Sequence, residues 1–300
     1  MTAQITQYQR AGALLRALLA LTKPRIIELL LISTLPAMVL AQRGLPDLWL
    51  VLATLFGGSL SAGSANAFNN VIDADIDRLM GRTSNRPLAS GAISQKVAVA
   101  FAWSLGTISV LWLWLLVNPL AALLSLVAIL FYVFVYTLGL KRRTPQNIVW
   151  GGAAGAIPPL IGWAAVTGTL DAAAWVLFLI VFLWTPPHYW PLAMRFRDDY
   201  RLAEVPMLPS VASQQVVGRQ IVLYALGYVA ATILLIPIAG LGAIYAAVAV
   251  STGIWFIAEC VRLVSASETT GQPMRVFHTS ITQLTLVMVA IALDVLIPLG

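Results

Sequence analysis

Asn69, Asp73 and Asp77 recur at intervals of four in the run Asn69-Asn70-Val71-Ile72-Asp73-Ala74-Asp75-Ile76-Asp77. On a continuous helix this spacing lines all three along one stripe, where exposed like charges repel by roughly 0.2–0.5 kcal/mol per pair. A cation must offset them. Mg2+ is the natural one, because it takes oxygen ligands in an octahedron and commonly uses one or two carboxylates, leaving positions for water and substrate phosphates. Arg78, Arg82 and Arg86 follow at once and can hold the remaining phosphate oxygens. Acids and bases interleaved in this way point to a metal–diphosphate clamp. The competing reading is a solvated helix end whose acids pair with Arg78 and Arg82. The tract Thr83-Ser84-Asn85-Arg86-Pro87-Leu88, with Gly91 beyond it, favours the clamp, since it is built to turn and fold back over the helix end.

A second acidic pair, Asp198 and Asp199, lies in Arg195-Phe196-Arg197-Asp198-Asp199-Tyr200-Arg201, shortly after Trp184-Thr185-Pro186-Pro187-His188-Tyr189-Trp190. The two prolines predict a broken helix and a pocket. If helix resumes beyond them, His188, Arg195 and Asp199 share a face and point toward the first cluster. Asp198 and Asp199 are then a second metal position, with Arg195 as a phosphate contact. Lys141-Arg142-Arg143 closes another apolar run. Lys141 and Arg142 are placed to neutralise a leaving diphosphate, although three adjacent cations can also serve orientation alone. Glu28 is an intramembrane acid and a weaker site candidate. His278, in a loop, and Cys260, in an apolar run, read as structural.

The elements that carry these residues are membrane spans. Of the 300 residues, 60% are hydrophobic and 10% charged, against about a quarter charged in a soluble domain, which excludes a soluble monomer. Runs long enough to cross a hydrocarbon core give nine spans: 25–41, 48–66, 97–117, 120–140, 148–166, 172–189, 217–239, 243–264 and 281–299. An all-α bundle of nine transmembrane helices around a cavity open to the cytoplasmic side is expected, with residues 1–22 as a cytoplasmic segment and 23–300 as one domain.

Alternating the loops across nine spans puts all of the 18 Lys and Arg on one side except Arg43. That asymmetry sets the N-terminus inside and the C-terminus outside. The net charge of +6 thus encodes topology rather than nucleic-acid binding, since no contiguous basic stripe exists. No removed signal peptide is expected, and a bacterial inner membrane is the indicated location. The two long inside connections, 67–96 and 190–216, hold Asp73, Asp75, Asp77, Asp198, Asp199 and Glu204, half of the twelve acids.

The Asn69-x3-Asp73-x3-Asp77 pattern followed by Arg78, with a second acidic loop after the sixth of nine spans, resembles the intramembrane UbiA-type prenyltransferases. Further blocks narrow the likeness: Lys23-Pro24-Arg25, Asn85-Arg86-Pro87-Leu88, Leu140-Lys141-Arg142-x-Thr144-Pro145, Trp184-Thr185-Pro186-Pro187-His188, and Asp198-Asp199-Tyr200-x6-Met207-Leu208-Pro209. Together they resemble the protohaem IX farnesyltransferases, or haem O synthases, over residues 20–298. The resemblance implies farnesyl diphosphate and haem B as substrates, Mg2+ as cofactor and His188 on the haem side. It also points to haem A synthase or oxidase assembly proteins as partners. A relative acting on a quinone precursor or chlorin is the nearest alternative reading, and a membrane transporter the alternative of another class. The family's second motif often has another acid four residues after the first, where this chain has Leu202 and Ala203.

Overall fold

The computed structural model describes residues 2–266 and 271–297, with the side chains of 12–24, 32–266 and 271–297. Arg10, Arg25 and Glu28 lie outside the described side chains. The described residues form helices joined by turns and loops, with no strand among them. Helix α1 (Thr2–Thr22) leads into α2 (Pro24–Gln42), followed by α3 (Leu48–Ile72) and the short α4 (Ala74–Leu79). Next come α5 (Gln95–Leu116) and α6 (Pro119–Leu130), the latter running on as a π-helical stretch (Phe131–Leu140). Then follow α7 (Asn147–Thr167), α8 (Ala172–Arg195), α9 (Arg197–Leu202), α10 (Leu208–Val211), α11 (Gln214–Ala239), α12 (Ala243–Ser265) and α13 (Gln272–Leu296).

Eight helices among the described residues are long and apolar enough to cross a membrane, where nine were expected. The expected first span falls on α2, whose described apolar part begins at Ile32. Large apolar side chains such as Trp103, Leu111, Trp114 and Leu115 on α5 are exposed along the outside, which only a lipid solvent tolerates at this density. The chain is a multi-pass membrane protein.

Local chemistry fixes the helix starts. Asp47 accepts from Leu50 N at 3.0 Å to cap α3, and Asn118 accepts from Ala121 N at 2.9 Å ahead of Pro119 to cap α6. Helix α7 is the hub, packed against α2, α6 and α8 and buried along most of its length. Its small residues permit this: a Cβ at Gly162 would lie 2.6 Å from the Thr34 carbonyl oxygen.

Two expectations about the helices are corrected. The second expected span does not continue as one helix through Asp77; α3 ends at Ile72, Asp73 is the joint (φ −93°, ψ 6°), and α4 restarts beyond it. Nor do Pro186 and Pro187 break their helix. Helix α8 runs through both and through Pro191 to Arg195, and the break falls at Phe196 (φ −108°, ψ 26°). Packing against α7, α11 and α13 holds α8 together across the lost hydrogen bonds. Residues 1–22, expected as a cytoplasmic segment, carry helix α1 from Thr2 to Thr22.

Candidate active site

The site assembles where α3 ends. Asp73 is fully buried and Asp77 is 2% exposed. Asn69 Nδ2 donates to Asp73 Oδ2 at 2.6 Å, and Lys141 Nζ forms a short ion pair with the same oxygen. Asp73 Oδ1 is buried without a hydrogen-bond partner, with the Arg142 guanidinium 3.7 Å away. Asp77 takes both of its oxygens to Arg86 Nη1 at 2.8 Å, while Thr83 Oγ1 donates to the Asp77 carbonyl at 3.1 Å. The turn after α4 therefore folds back over the helix end as expected. It begins at Met80, just ahead of the expected Thr83–Leu88 tract, where α4 ends.

Lys141 is delivered by the π-helical stretch. Its wider i→i+5 turn brings residues five apart onto one face. Thr137 Oγ1 bonds the Tyr132 carbonyl at 2.8 Å, and Lys141 N bonds the Tyr136 carbonyl at 2.8 Å. Tyr132, Tyr136, Thr137 and Lys141 thus follow one another down to the acids, and Thr137 Oγ1 lies 3.3 Å from Asn69 Nδ2. Arg142 forks onto Asp75 at 2.6 and 2.7 Å, and that hydrogen bonding holds the Asp75 carboxyl down at about 2.

Lys23 completes the cluster, and the sequence reading gave it no role. It joins α1 to α2 in a left-handed conformation (φ 53°) just before Pro24, a strained geometry for a side chain with a Cβ. Two asparagines hold the joint by capping the end of α1: Asn70 Nδ2 donates to the Leu21 carbonyl at 3.1 Å and Asn66 Nδ2 to the Thr22 carbonyl at 3.0 Å. Lys23 Nζ then donates to Asn69 Oδ1 at 2.8 Å. Burial, reinforced by Arg86 and Lys141 nearby, pulls its ammonium well below the ordinary lysine range. A cation held against that cost favours an added anion. The available signal was Lys-Pro at the mouth of an apolar span, together with three asparagines in the last turns of α3.

The second acidic segment reaches the same mouth differently. Asp199 Oδ2 accepts from the Arg82 backbone N–H at 3.3 Å, and the Arg82 guanidinium lies over the Phe196 ring and 3.4 Å from the Tyr200 hydroxyl. Tyr200 and Tyr189 share a hydrogen bond of 2.8 Å, and burial pushes the Tyr200 phenol up. The two segments converge, through a loop backbone rather than through facing carboxylates. Asp198 is exposed, 3.7 Å from Arg201. Glu204 is exposed at a left-handed turn (φ 53°), and Arg78 and Arg195 are exposed.

His188 departs from the expected arrangement. With α8 unbroken, it stacks between Trp184 (4.0 Å) and Phe277 (4.7 Å), and its Nδ1 is 2.9 Å from Ser280 Oγ. It faces α13, not the carboxylates. Arg195, two turns on, lines a pocket with Gln214, Pro273 and Met274 on that side. Cys260 is buried, and His278 is exposed.

Among the described residues no three His, Cys, Asp or Glu side chains gather around one point. A divalent ion here must complete its shell with Asn69 and with substrate or water oxygens. The unpartnered Asp73 Oδ1 and the all-oxygen donor set suit Mg2+ in that respect. Directly beneath, Asn66 and Tyr132 form the head of an apolar cavity of about 120 Å³ that runs between α2, α3, α6 and α7 past Ala62 and Ile161 to Leu55. Buried anion ligands above a greasy channel suit a lipid diphosphate.

The sequence matches the UbiA prenyltransferase family over residues 30–281. The chain belongs to that family. It is 57% identical over 285 residues to the protoheme IX farnesyltransferase of Clavibacter michiganensis subsp. michiganensis, covering 94% of this chain and 93% of the relative. The fold is that of a solved structure concerned with digeranylgeranylglyceryl phosphate synthase in membranes, at 19% identity and a TM-score of 0.76, covering 94% of this chain and 98% of the other. A UbiA homologue from Archaeoglobus fulgidus, bound to DMAPP and Mg2+, matches with a TM-score of 0.64 at 16% identity, covering 92% and 98%. UbiA membership thus agrees with the fold expected from sequence.

Proposed function

We propose that this chain transfers the farnesyl group of farnesyl diphosphate to a vinyl group of haem B, with addition of water, to give haem O and diphosphate. The observation that carries the reading is the buried Lys23–Asn69–Asp73–Lys141 cluster set at the head of the apolar cavity. The likeness to protoheme IX farnesyltransferases supplies the identity of donor and acceptor.

The chain's own groups account for the chemistry. Asn69, Asp73 and Asp77 would hold Mg2+, which when bound supplies positive charge to the leaving diphosphate, and Asp199 lies at the same mouth. Lys23, Lys141, Arg142 and Arg86 meet the diphosphate oxygens as the carbon–oxygen bond breaks, with Arg82 and Arg78 further out along the same rim. Charge that grows on those oxygens is stabilised by fixed cations already paid for in the fold, which lowers the barrier more than it tightens ground-state binding. The cavity keeps the prenyl chain, and the allylic cation it becomes, away from bulk water. The haem vinyl attacks C1 of that cation, and water adds to the carbon left electron-poor, losing a proton. His188, fixed by Trp184, Phe277 and Ser280, belongs to the haem side. Arg195 is closer to that side than to the diphosphate.

The proposed location is a bacterial inner membrane with the site facing the cytoplasm, and a haem A synthase or an oxidase assembly protein is the proposed recipient of the product. The test is pigment analysis of membranes carrying the chain, supplied with haem B and farnesyl diphosphate. Haem O is expected; diphosphate release with a quinone precursor or chlorin and none with haem would overturn the acceptor.

A further inference from the structure

Two glycines on the cavity wall face open space. A Cβ added at Gly58 of α3 or at Gly155 of α7 would meet no heavy atom within 4 Å, and both residues line the cavity. Their neighbours differ. A Cβ at Gly57 would lie 2.6 Å from Leu113, and at Gly152 2.9 Å from Thr185, so packing dictates glycine there. At Gly58 and Gly155 alanine fits, and helix propensity favours alanine by roughly 0.8–1 kcal/mol. What glycine leaves at these two positions is room inside the channel.

The depth of Gly58 can be placed. It is eight residues from Asn66 at the channel head, and at a rise of about 1.5 Å per residue it lies roughly 12 Å further along α3. An extended isoprene unit adds four chain carbons, and with bonds of about 1.5 Å it advances roughly 5 Å. Gly58 is therefore level with the passage from the second unit to the third, with Thr54 and Leu55 beyond it.

We propose that Gly58 marks a neck that admits the third isoprene unit, and that this neck sets the preference for a fifteen-carbon over a ten-carbon diphosphate. The inference rests on the cavity being the donor's channel, as argued above, and is independent of the acceptor.

The experiment measures binding of geranyl and farnesyl diphosphate to the purified, detergent-solubilised chain with Mg2+, by ligand-induced shift of the melting temperature over a concentration series. Gly58→Leu is expected to weaken farnesyl diphosphate by about tenfold or more while geranyl diphosphate stays within about threefold. Equal weakening of both donors, or an unchanged ratio, in protein that keeps its unliganded melting temperature would overturn the neck. Should the leucine variant fail to fold, Gly58→Ala decides: the ratio is expected to move about threefold the same way, and a ratio that does not move overturns the proposal. A chain that ranks the donors by length yet never prenylates haem would sink the acceptor assignment and leave the neck standing.

Discussion

The two acidic segments meet at one mouth but are built on opposite principles. In the first, Asp73 and Asp77 are buried, 0% and 2% exposed, and each is matched to a cation from a different part of the chain: Lys141 from the end of the π-helical stretch, Arg86 from the returning turn. In the second, the Asp198 side chain is 96% exposed, and Asp199 holds a loop backbone rather than a cation. Buried charges strongly penalise loss of a partner, whereas solvated ones scarcely register it. The first segment is accordingly a preorganised charge site, and the second acts as its cover.

The largest expected break in this contrast is at Asp73. Asp73→Ala leaves Lys141 buried beside Lys23 and should cost about 3–5 kcal/mol of stability, together with about a thousandfold or more in diphosphate release. Pairing Asp73→Asn with Lys141→Met should restore the melting temperature and none of the turnover. Recovered activity in that double variant would show the pair to be scaffolding only. Next comes Arg86. Arg86→Ala should lower kcat/KM about a hundredfold, and Arg86→Lys, which keeps the charge but lacks the further guanidinium donors left over for phosphate oxygens once Nη1 holds Asp77, should recover only part of it. Full rescue by lysine would mean that charge alone is needed.

Much of this contrast was legible in the sequence, and what was missed has a physical reason. The four-residue spacing of Asn69, Asp73 and Asp77 brought the first two together at the end of α3, with Asp77 beyond the joint on α4, and the Thr83–Leu88 tract gave the fold-back turn. Both are local signals. Hydropathy and the one-sided distribution of basic residues likewise gave the spans and brought the charged ends to one face. The role of Lys23 was hidden because it depends on a left-handed joint held by asparagines 43 and 47 residues further along, a tertiary fact with no local pattern. His188 was misplaced because the Pro186-Pro187 pair was read by its own tendency to break a helix, while packing from three neighbouring helices keeps α8 continuous. That continuity turns His188 toward α13 and leaves the break to Phe196. The π-helical stretch was invisible for a related reason: its apolar residues give the same hydropathy as an α-helix, and only the i→i+5 bonds reveal the turn that carries Lys141 into place.

Smaller effects sharpen the contrast from the other side. Asp199→Ala frees the Arg82 backbone and so loosens the cover without touching the charge site, which should raise KM more than it lowers kcat, with about a tenfold loss in kcat/KM. An equal effect on kcat alone would move Asp199 into the charge site itself. Asp75 is the exposed member of the first segment. Its carboxyl is held at about 2 by Arg142, below the ordinary aspartate value of 3.8. The pair's stabilisation is therefore present above about pH 4 and lost as pH falls toward 2. With 62% of the Asp75 side chain exposed, screening limits it to about 1 kcal/mol or less. The melting-temperature gap between wild type and Asp75→Asn should shrink across that window, and a gap constant with pH would remove the ion pair as its cause.

The smallest effect is the sharpest test of the division. Asp198 follows the same helix break as Asp199 and sits beside it in sequence, yet its side chain points into solvent toward Arg201 at 3.7 Å, a distance and exposure at which an ion pair contributes little. If the second segment acts as a cover through Asp199 alone, Asp198→Ala should leave turnover and donor binding within about twofold of wild type. If instead both acids bind a metal ion directly once substrate is present, the loss should approach that of Asp77→Ala and should be partly relieved by raising the Mg2+ concentration. Titrating Mg2+ against diphosphate release in Asp198→Ala, Asp199→Ala and Asp77→Ala side by side separates these cases, because only a lost ligand shifts the metal requirement. An Asp198→Ala enzyme that needs far more Mg2+ would put the second segment on the same footing as the first.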